Sequence, residues 1–389
     1  MKKISLMLVL VMILSAFMAG CGDSGADSGA LPEKIIVGVF EPLTGANAGG
    51  GELELQGIEL AHEMFPTVTI DGTEIPVELA IADNKSDKTE ASNAARNLVD
   101  SKGAHIVVGS WGSGFSMAAG PIFEDSEVPA IGTSCTNPLV TKGMPYYFRV
   151  CFIDPFQGTV MAKYAFDEGF KKIAIVQEVS NDYAVSLAAF FKDAFTELTG
   201  DESCIVSTLN YNTNDQDFSA QLTDIKNSGA EAIFAPGNFT ETALLMKQAR
   251  ELGIDLQFLG GDTWETPPLL EIAGEAAEGA VYSSFYDPAA PLTEMTATFL
   301  DAYAAKYGDE QPAGVTACGF DAYLLALDAI QRAGSADGPA VRDALAETKD
   351  FEGAAGFVTL DENGDAIKPA VIKTVKDGQF VYKSFVEPF

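Results

Sequence analysis

The sequence predicts an α/β chain built as two doubly wound lobes, each around a parallel sheet. Short β-rich runs alternate with longer amphipathic runs along nearly all of the chain after residue 34. The alternation passes once through residues 35–132 and restarts at 173. At 389 residues the chain suits two or three domains, each large enough for its own core.

Ile35–Phe40 is an unbroken apolar run and reads as a buried strand. Glu52–Phe65 follows, with Leu53, Leu60, Ala61 and Met64 at helical spacing. Val77–Ala82, His105–Gly109 and Val128–Gly132 are further strands, separated by helices over Thr89–Lys102 and Ser116–Glu124. The rhythm restarts beyond Tyr146–Cys151. Ile173–Gln177, Ser203–Tyr211, Ala232–Ala235 and Gln257–Gly260 read as strands. Tyr183–Leu198, Phe218–Ser228 and Glu241–Leu252 read as the helices between and after them. Residues 293–347 are mostly helical in pattern, and the tail from Gly356 is β, with turn signals at 361–364 and at Asp377-Gly378.

Lys and Arg number 24 against 56 Asp and Glu, a net charge of −32. That balance excludes nucleic acid as the main partner, because phosphate binding needs a basic face. It equally disfavours a surface that adheres to anionic lipid. Only two His occur, His62 and His105, so a three-His metal centre is impossible. The cysteines after Cys21 are Cys135, Cys151, Cys204 and Cys318; no pair has the C-x-x-C spacing of zinc or redox motifs. Buried free thiols are expected, with a Cys135–Cys151 bridge as the alternative. No metal and no cofactor is expected.

Residues 1–20 read as an export signal. Lys2 and Lys3 precede an apolar run, Ile4 to Met18, too short to span a bilayer. The run ends in Met18-Ala19-Gly20-Cys21, small residues before a Cys, which resembles a bacterial lipobox with Cys21 as the lipidated mature N-terminus. An ordinary signal peptide cut nearby is the alternative. Residues 21–33 are small and polar and suit a flexible tether.

Ligands of open α/β sheets gather at the carboxyl ends of the strands. Ser110-Trp111-Gly112-Ser113-Gly114 follows one such strand, and Thr133-Ser134-Cys135-Thr136-Asn137-Pro138 another. Hydroxyls, backbone N–H groups and a helix N-terminus suit a small carboxylate, although the same residues also serve as ordinary caps. In the second series the strand ending at Gly260 leads into Gly261-Asp262-Thr263-Trp264, where Asp262 could meet an ammonium group or cap a helix. Tyr183 and Asn238 follow other strands of that series and face the same cleft if the lobes oppose each other.

These residues carry a resemblance that covers nearly all of 34–389. It rests on Pro42-Leu43-Thr44-Gly45, on the segment Phe148–Gly158 (FRVCFIDPFQG), and on Asp215–Ser219, Lys247–Gly253 and Gly260–Trp264. The chain resembles an extracellular solute-binding protein of the branched-chain amino acid type, with the type I periplasmic-binding-protein fold. The resemblance implies two lobes joined by three crossings near 151, 283 and 355. One lobe is then 34–150 plus 284–354, and the other 151–283 plus 355–389. It further implies that Ser113 and Thr136 hold a ligand carboxylate, that the Ser134 carbonyl and Asp262 receive its α-ammonium, and that Tyr183 closes over it. Similar proteins often place Tyr where this chain has Gly50 and Asn238, and smaller residues where it has Trp111. Trp111 then fills the space of the lost ring, stacks on an aromatic ligand, or simply packs.

No enzyme is expected. Neither His falls in a strand-end loop, and the G-x-S-x-G elbow, the P-loop and a G-x-G-x-x-G after a strand are all absent. The resemblance implies an extracytoplasmic, lipid-anchored monomer. It would bind an amino acid, branched-chain or otherwise apolar, and deliver it to the permease of an ABC importer. The alternative is a sensory ligand-binding subunit without transport.

Overall fold

A computed structural model describes residues 31–388, so the export signal and Cys21 lie outside the described residues. Six strands form the first sheet: β1 (Ile35–Glu41), β2 (Thr67–Ile70), β3 (Thr73–Asp83), β4 (Ile106–Val108), β5 (Ala130–Gly132) and β6 (Tyr147–Arg149). Their spatial order is β2-β3-β1-β4-β5-β6. All pairs are parallel except β2–β3, a hairpin. Its turn is Asp71-Gly72, both at positive φ, as a tight two-residue turn requires.

The second sheet uses β7 (Ile173–Glu178), β8 (Ile205–Tyr211), β9 (Ala232–Phe234), β10 (Gln257–Gly260) and β11 (Val281–Ser284). A small three-stranded sheet intervenes in the chain: β12 (Phe351–Gly353), β13 (Gly356–Leu360) and β14 (Ala366–Ile367). The chain then returns as β15 (Ala370–Lys376) and β16 (Gln379–Val386), which pair antiparallel beside β11. The second sheet therefore runs β16-β15-β11-β10-β9-β7-β8. Two parallel-dominated sheets with strand-to-helix crossovers make a two-lobed α/β protein, the predicted class.

Helices flank both sheets. In chain order they are α1 (Ala48–Met64), α2 (Lys88–Arg96), α3 (Ser113–Asp125), α4 (Asp154–Asp167), α5 (Asp182–Thr199), α6 (Ser219–Ser228), α7 (Phe239–Glu251), α8 (Pro267–Ala273), α9 (Glu294–Tyr307), α10 (Gly314–Ala333) and α11 (Gly338–Ala346). Helix α1 begins four residues before the expected start, taking in Gly49-Gly50-Gly51. Glycine disfavours helix, but here contact decides: a Cβ at Gly49 would meet Phe239 and Pro268 at 3.3 Å, and one at Gly51 would strike Pro42. Helix α4 has no counterpart in the sequence reading. It opens with Pro155 in its first turn, where the missing N–H costs nothing.

Helices α1 and α10 cross backbone to backbone. A Cβ on Gly57 would run into the Thr316 carbonyl, and one on Gly319 would lie 3.2 Å from Glu54 Cα and closer still to its carbonyl oxygen. Elsewhere a buried guanidinium ties the small sheet to the first lobe. Arg149 Nε donates to Asp365 Oδ1 (2.7 Å), its NH2 donates to Thr141 Oγ1 (2.7 Å), and its NH1 donates to the carbonyls of Cys135 and Asn137. Those carbonyls belong to the loop after β5, so the anchor also fixes a candidate ligand loop. The cysteines Cys135, Cys151, Cys204 and Cys318 are buried free thiols.

The crossing of α1 on α10 yields a stability prediction. Gly57→Val should lower the urea midpoint by an amount equivalent to about 1–3 kcal/mol, the usual cost of overpacking. An unchanged midpoint would mean that the helices can separate without penalty.

Candidate functional site

The carboxyl ends of the parallel strands in both sheets converge on one cavity of about 240 Å³. From the first sheet, β4 delivers Trp111, Gly112 and Ser113, and β5 delivers Ser134. From the second, β7 delivers Glu178 and leads into Tyr183, β9 leads to Asn238, and β10 to Thr263. Five of the seven predicted ligand residues thus share one surface: Trp111, Ser113, Ser134, Tyr183 and Asn238. Thr136 and Asp262 do not line it. Asp262 sits one residue deeper, its Oδ1 accepting from the Tyr183 hydroxyl (3.0 Å) and from Gln157 Nε2 (2.6 Å). Thr136 is fully buried, its hydroxyl turned toward the Asp154 carboxyl.

On the first lobe the cavity meets the start of α3. Gly112 precedes this helix at φ 92° and has no side chain to cap it. The Phe115 N–H turns back to the Gly112 carbonyl, and the N–H groups of Ser113 and Gly114 have no side-chain cap, at the positive end of the helix dipole. The Ser113 hydroxyl accepts from the Asn137 N–H (3.1 Å), which joins the two predicted loops of this lobe.

Behind the cavity wall on the second lobe lie two buried acids. Burial pushes Asp262 up to about 7; hydrogen bonds from Gln157 and Tyr183 oppose the rise, and nearby Asp154 adds to it. Asp154, the first residue of α4, is likewise pushed up to about 6 by burial, a rise that hydrogen bonds from Ser186 and Thr136 and the charge of Arg149 oppose. No cation relieves Asp262 among the described residues. A buried carboxyl without a cation is stabilised by any ammonium placed beside it.

Trp111 is 1% exposed and packs between the two lobes. A Cβ at Gly50 would lie 2.7 Å from Trp111 Cδ2, so the indole occupies the space above Gly50. Its outer edge meets Phe239 of the other lobe, with centroids 6.2 Å apart and planes at 63°.

Sequence reasoning missed the residues that join the lobes across the cavity. Asn238 Nδ2 donates to Asn47 Oδ1 (2.9 Å), Asn137 Nδ2 donates to the Asp182 carbonyl (3.0 Å), and Lys88 pairs with Asp182 (2.5 Å). Lone Asn and Lys residues in loops give no periodic signal, so nothing in the sequence marked Asn47 or Lys88. Asp154 and Gln157 lay inside the quoted Phe148–Gly158 segment; Pro155 marked the helix start that aims them. His62 contacts the Tyr323 hydroxyl and His105 accepts from the Ile36 N–H; neither lines the cavity.

Comparison with known proteins agrees with this architecture. Residues 34–379 match the family described as periplasmic binding protein. A Leu/Ile/Val-binding protein homolog of Brucella melitensis is 30% identical over 379 residues, covering 95% of this chain and 96% of the relative. A leucine-, isoleucine-, valine-, threonine- and alanine-binding protein of Pseudomonas aeruginosa is 28% identical, with coverages of 90% and 92%. Among solved structures, the leucine binding protein LivK of Thermotoga maritima superposes with a TM-score of 0.86 at 40% identity, covering 91% of this chain and 99% of that one. The branched-chain amino acid transporter substrate binding protein LivJ of Streptococcus pneumoniae, in complex with isoleucine, gives 0.82 at 31% identity, covering 92% and 99%. The two lobes, the strand-end cavity and these matches together place the chain in the periplasmic binding protein family, in the company of its Leu/Ile/Val-binding members.

Proposed function

We propose that the protein captures a free α-amino acid between its lobes and hands it to the permease of an ABC importer. The observation that carries this reading is the pairing of opposites across the cavity: an uncapped helix N-terminus with hydroxyls on one side, a buried carboxyl without a cation on the other. An α-carboxylate fits the first and an α-ammonium the second. Ser113 would meet the carboxylate, with Thr136 behind it; the Ser134 carbonyl and Asp262, through its shared contact with Tyr183, would receive the ammonium. Trp111 and Tyr183 would flank the side chain. Its branched-chain or otherwise apolar character is supported by the names of the relatives. The cavity is smaller than the roughly 300–1,000 Å³ of sites for drug-sized ligands, which suits a small zwitterion.

The lobes we propose are 34–150 with 285–367, and 151–284 with 368–389, joined by three crossings. Phe152 and Phe285, whose ring centroids lie 4.5 Å apart, bring the first two crossings together. The Arg149–Asp365 pair supports placing the third crossing after β14 rather than near 355. Contacts such as Asn47–Asn238 would form on closure and break on opening, so ligand that bridges the lobes shifts the balance toward the closed form. We read the chain as binding without catalysing, as a monomer, lipidated at Cys21 and tethered outside the cytoplasmic membrane through residues 21–33.

Thermal-shift screening of ligand-free protein against the common amino acids should give at least one clear increase, about 2.7 kcal/mol of stabilisation at 100-fold the dissociation constant. No shift with any of them would sink the ligand class. Asp262→Asn keeps the shape and removes the charge; calorimetry should show binding weakened by about 2–5 kcal/mol. Unchanged affinity would mean that the ammonium lies elsewhere. Gly50→Ala should weaken binding in the native background and be tolerated in Trp111→Ala, a coupling that a double-mutant cycle detects. Additive effects would show that the indole does not depend on the missing side chain.

A further inference from the structure

Two carboxylates lie beneath the ligand loops of the first lobe. Glu41 ends β1 and Glu54 sits in α1; both are 0% exposed. The Trp111 N–H donates to Glu41 Oε2 (2.7 Å), and the Thr133 hydroxyl donates to Glu54 Oε2. The other oxygen of each, Oε1, is buried, and the Ser134 hydroxyl also bonds to the Glu54 carboxyl. A Cβ at Gly109 would lie 2.7 Å from Glu41 Oε1, so the strand end leaves just enough room for this carboxylate. Glu41 faces Glu54 from α1, Cys135 from the loop after β5, and Tyr147 from β6. Glu54 faces Glu41, Cys135, the hydroxyls of Thr133 and Ser134, and Cys318 from α10. None of these is a cation. Two adjacent carboxyls in such a place cannot both ionise. Burial accordingly drives Glu41 well above the ordinary carboxylate range and Glu54 up to about 8.

We propose that Glu41 and Glu54 are joined by a proton held between their carboxyls at neutral pH and act as a positioning pair, holding the Trp111–Ser113 and Thr133–Thr136 loops in register for the ligand. The positioning role rests on the reading of the cavity given above; the shared proton does not. Each glutamate anchors one loop through Oε2, and the proton between the two carboxyls joins the anchors. The two loops then move as one unit. Loss of that proton at alkaline pH places uncompensated negative charge in the buried pair and separates the loops.

The test combines infrared spectroscopy with binding of L-leucine. At neutral pH the native protein should show more protonated-carboxyl C=O absorption than Glu54→Gln, which lacks one carboxyl of the pair while its amide keeps a hydrogen bond to Glu41. L-leucine should bind Glu54→Gln within about threefold of the native affinity, while Glu54→Ala, which strands Thr133 and Glu41, should lose about tenfold or more. Affinity of the native protein should fall above pH 8, and that of Glu54→Gln should stay level. Equal absorption in the native protein and Glu54→Gln, or Glu54→Ala binding as well as native, overturns the proposal. A protein that shows the difference in absorption but binds no amino acid sinks the cavity reading and the positioning role with it, while the shared proton stands.

Discussion

A carboxyl group taken out of water with no cation beside it is the constraint on which the rest of this structure turns. Asp262 is 3% exposed, and its only described hydrogen-bond partners, Gln157 and the Tyr183 hydroxyl, are neutral. Such a group is held at a cost in stability unless something positive arrives. Strand β10 puts it there, at the point where two parallel sheets aim their carboxyl ends at each other. The opposite wall has the complementary deficit: N–H groups of α3 that no side chain caps. A zwitterion answers both deficits at once, and neither lobe alone offers both. Binding and lobe closure are therefore one event in physical terms.

The supporting structure keeps these two deficits at a fixed separation. Arg149 spends its guanidinium on the carbonyls of Cys135 and Asn137, on Thr141 and on Asp365, so the loop after β5 is tied to the small sheet. The Asn137 N–H in turn reaches Ser113. Glu41 and Glu54 hold the same loops from below. The first lobe's ligand loops are thus braced from behind by Arg149, Glu41 and Glu54, while the rim contacts Asn47–Asn238 and Lys88–Asp182 are few. Exposed ion pairs such as Lys88–Asp182 contribute at most about 1 kcal/mol, which suits a closure that must also reopen.

Much of the fold was legible because parallel strands buried on both faces leave unbroken apolar runs such as Ile35–Phe40, and because flanking helices show their spacing. The loops after β4, β5 and β10 could be read because hydroxyls, Gly and Asp sit where such sheets place ligands. What could not be read depended on contacts between distant segments. Gly49-Gly50-Gly51 argues against helix until Phe239, Trp111 and Pro42 are known to press on it. Asp154 looks like any N-terminal acid until burial removes its solvent. Thr136 and Asp262 carry the right chemistry, yet only the packing shows that they stand behind the cavity wall rather than on it.

The central claim, that a ligand ammonium relieves the buried Asp262 carboxyl, is tested most directly by counting protons. Pushed up to about 7, Asp262 carries its proton for part of the time at neutral pH before binding. An ammonium beside it favours the charged form, so its value falls on binding and a proton is released. Affinity then declines as the pH drops below the unliganded value. Calorimetry of amino acid binding near and below pH 7, repeated in buffers of different ionisation enthalpy, should report net proton release that grows as the pH falls toward about 6. An enthalpy independent of buffer, or proton uptake, would contradict the account.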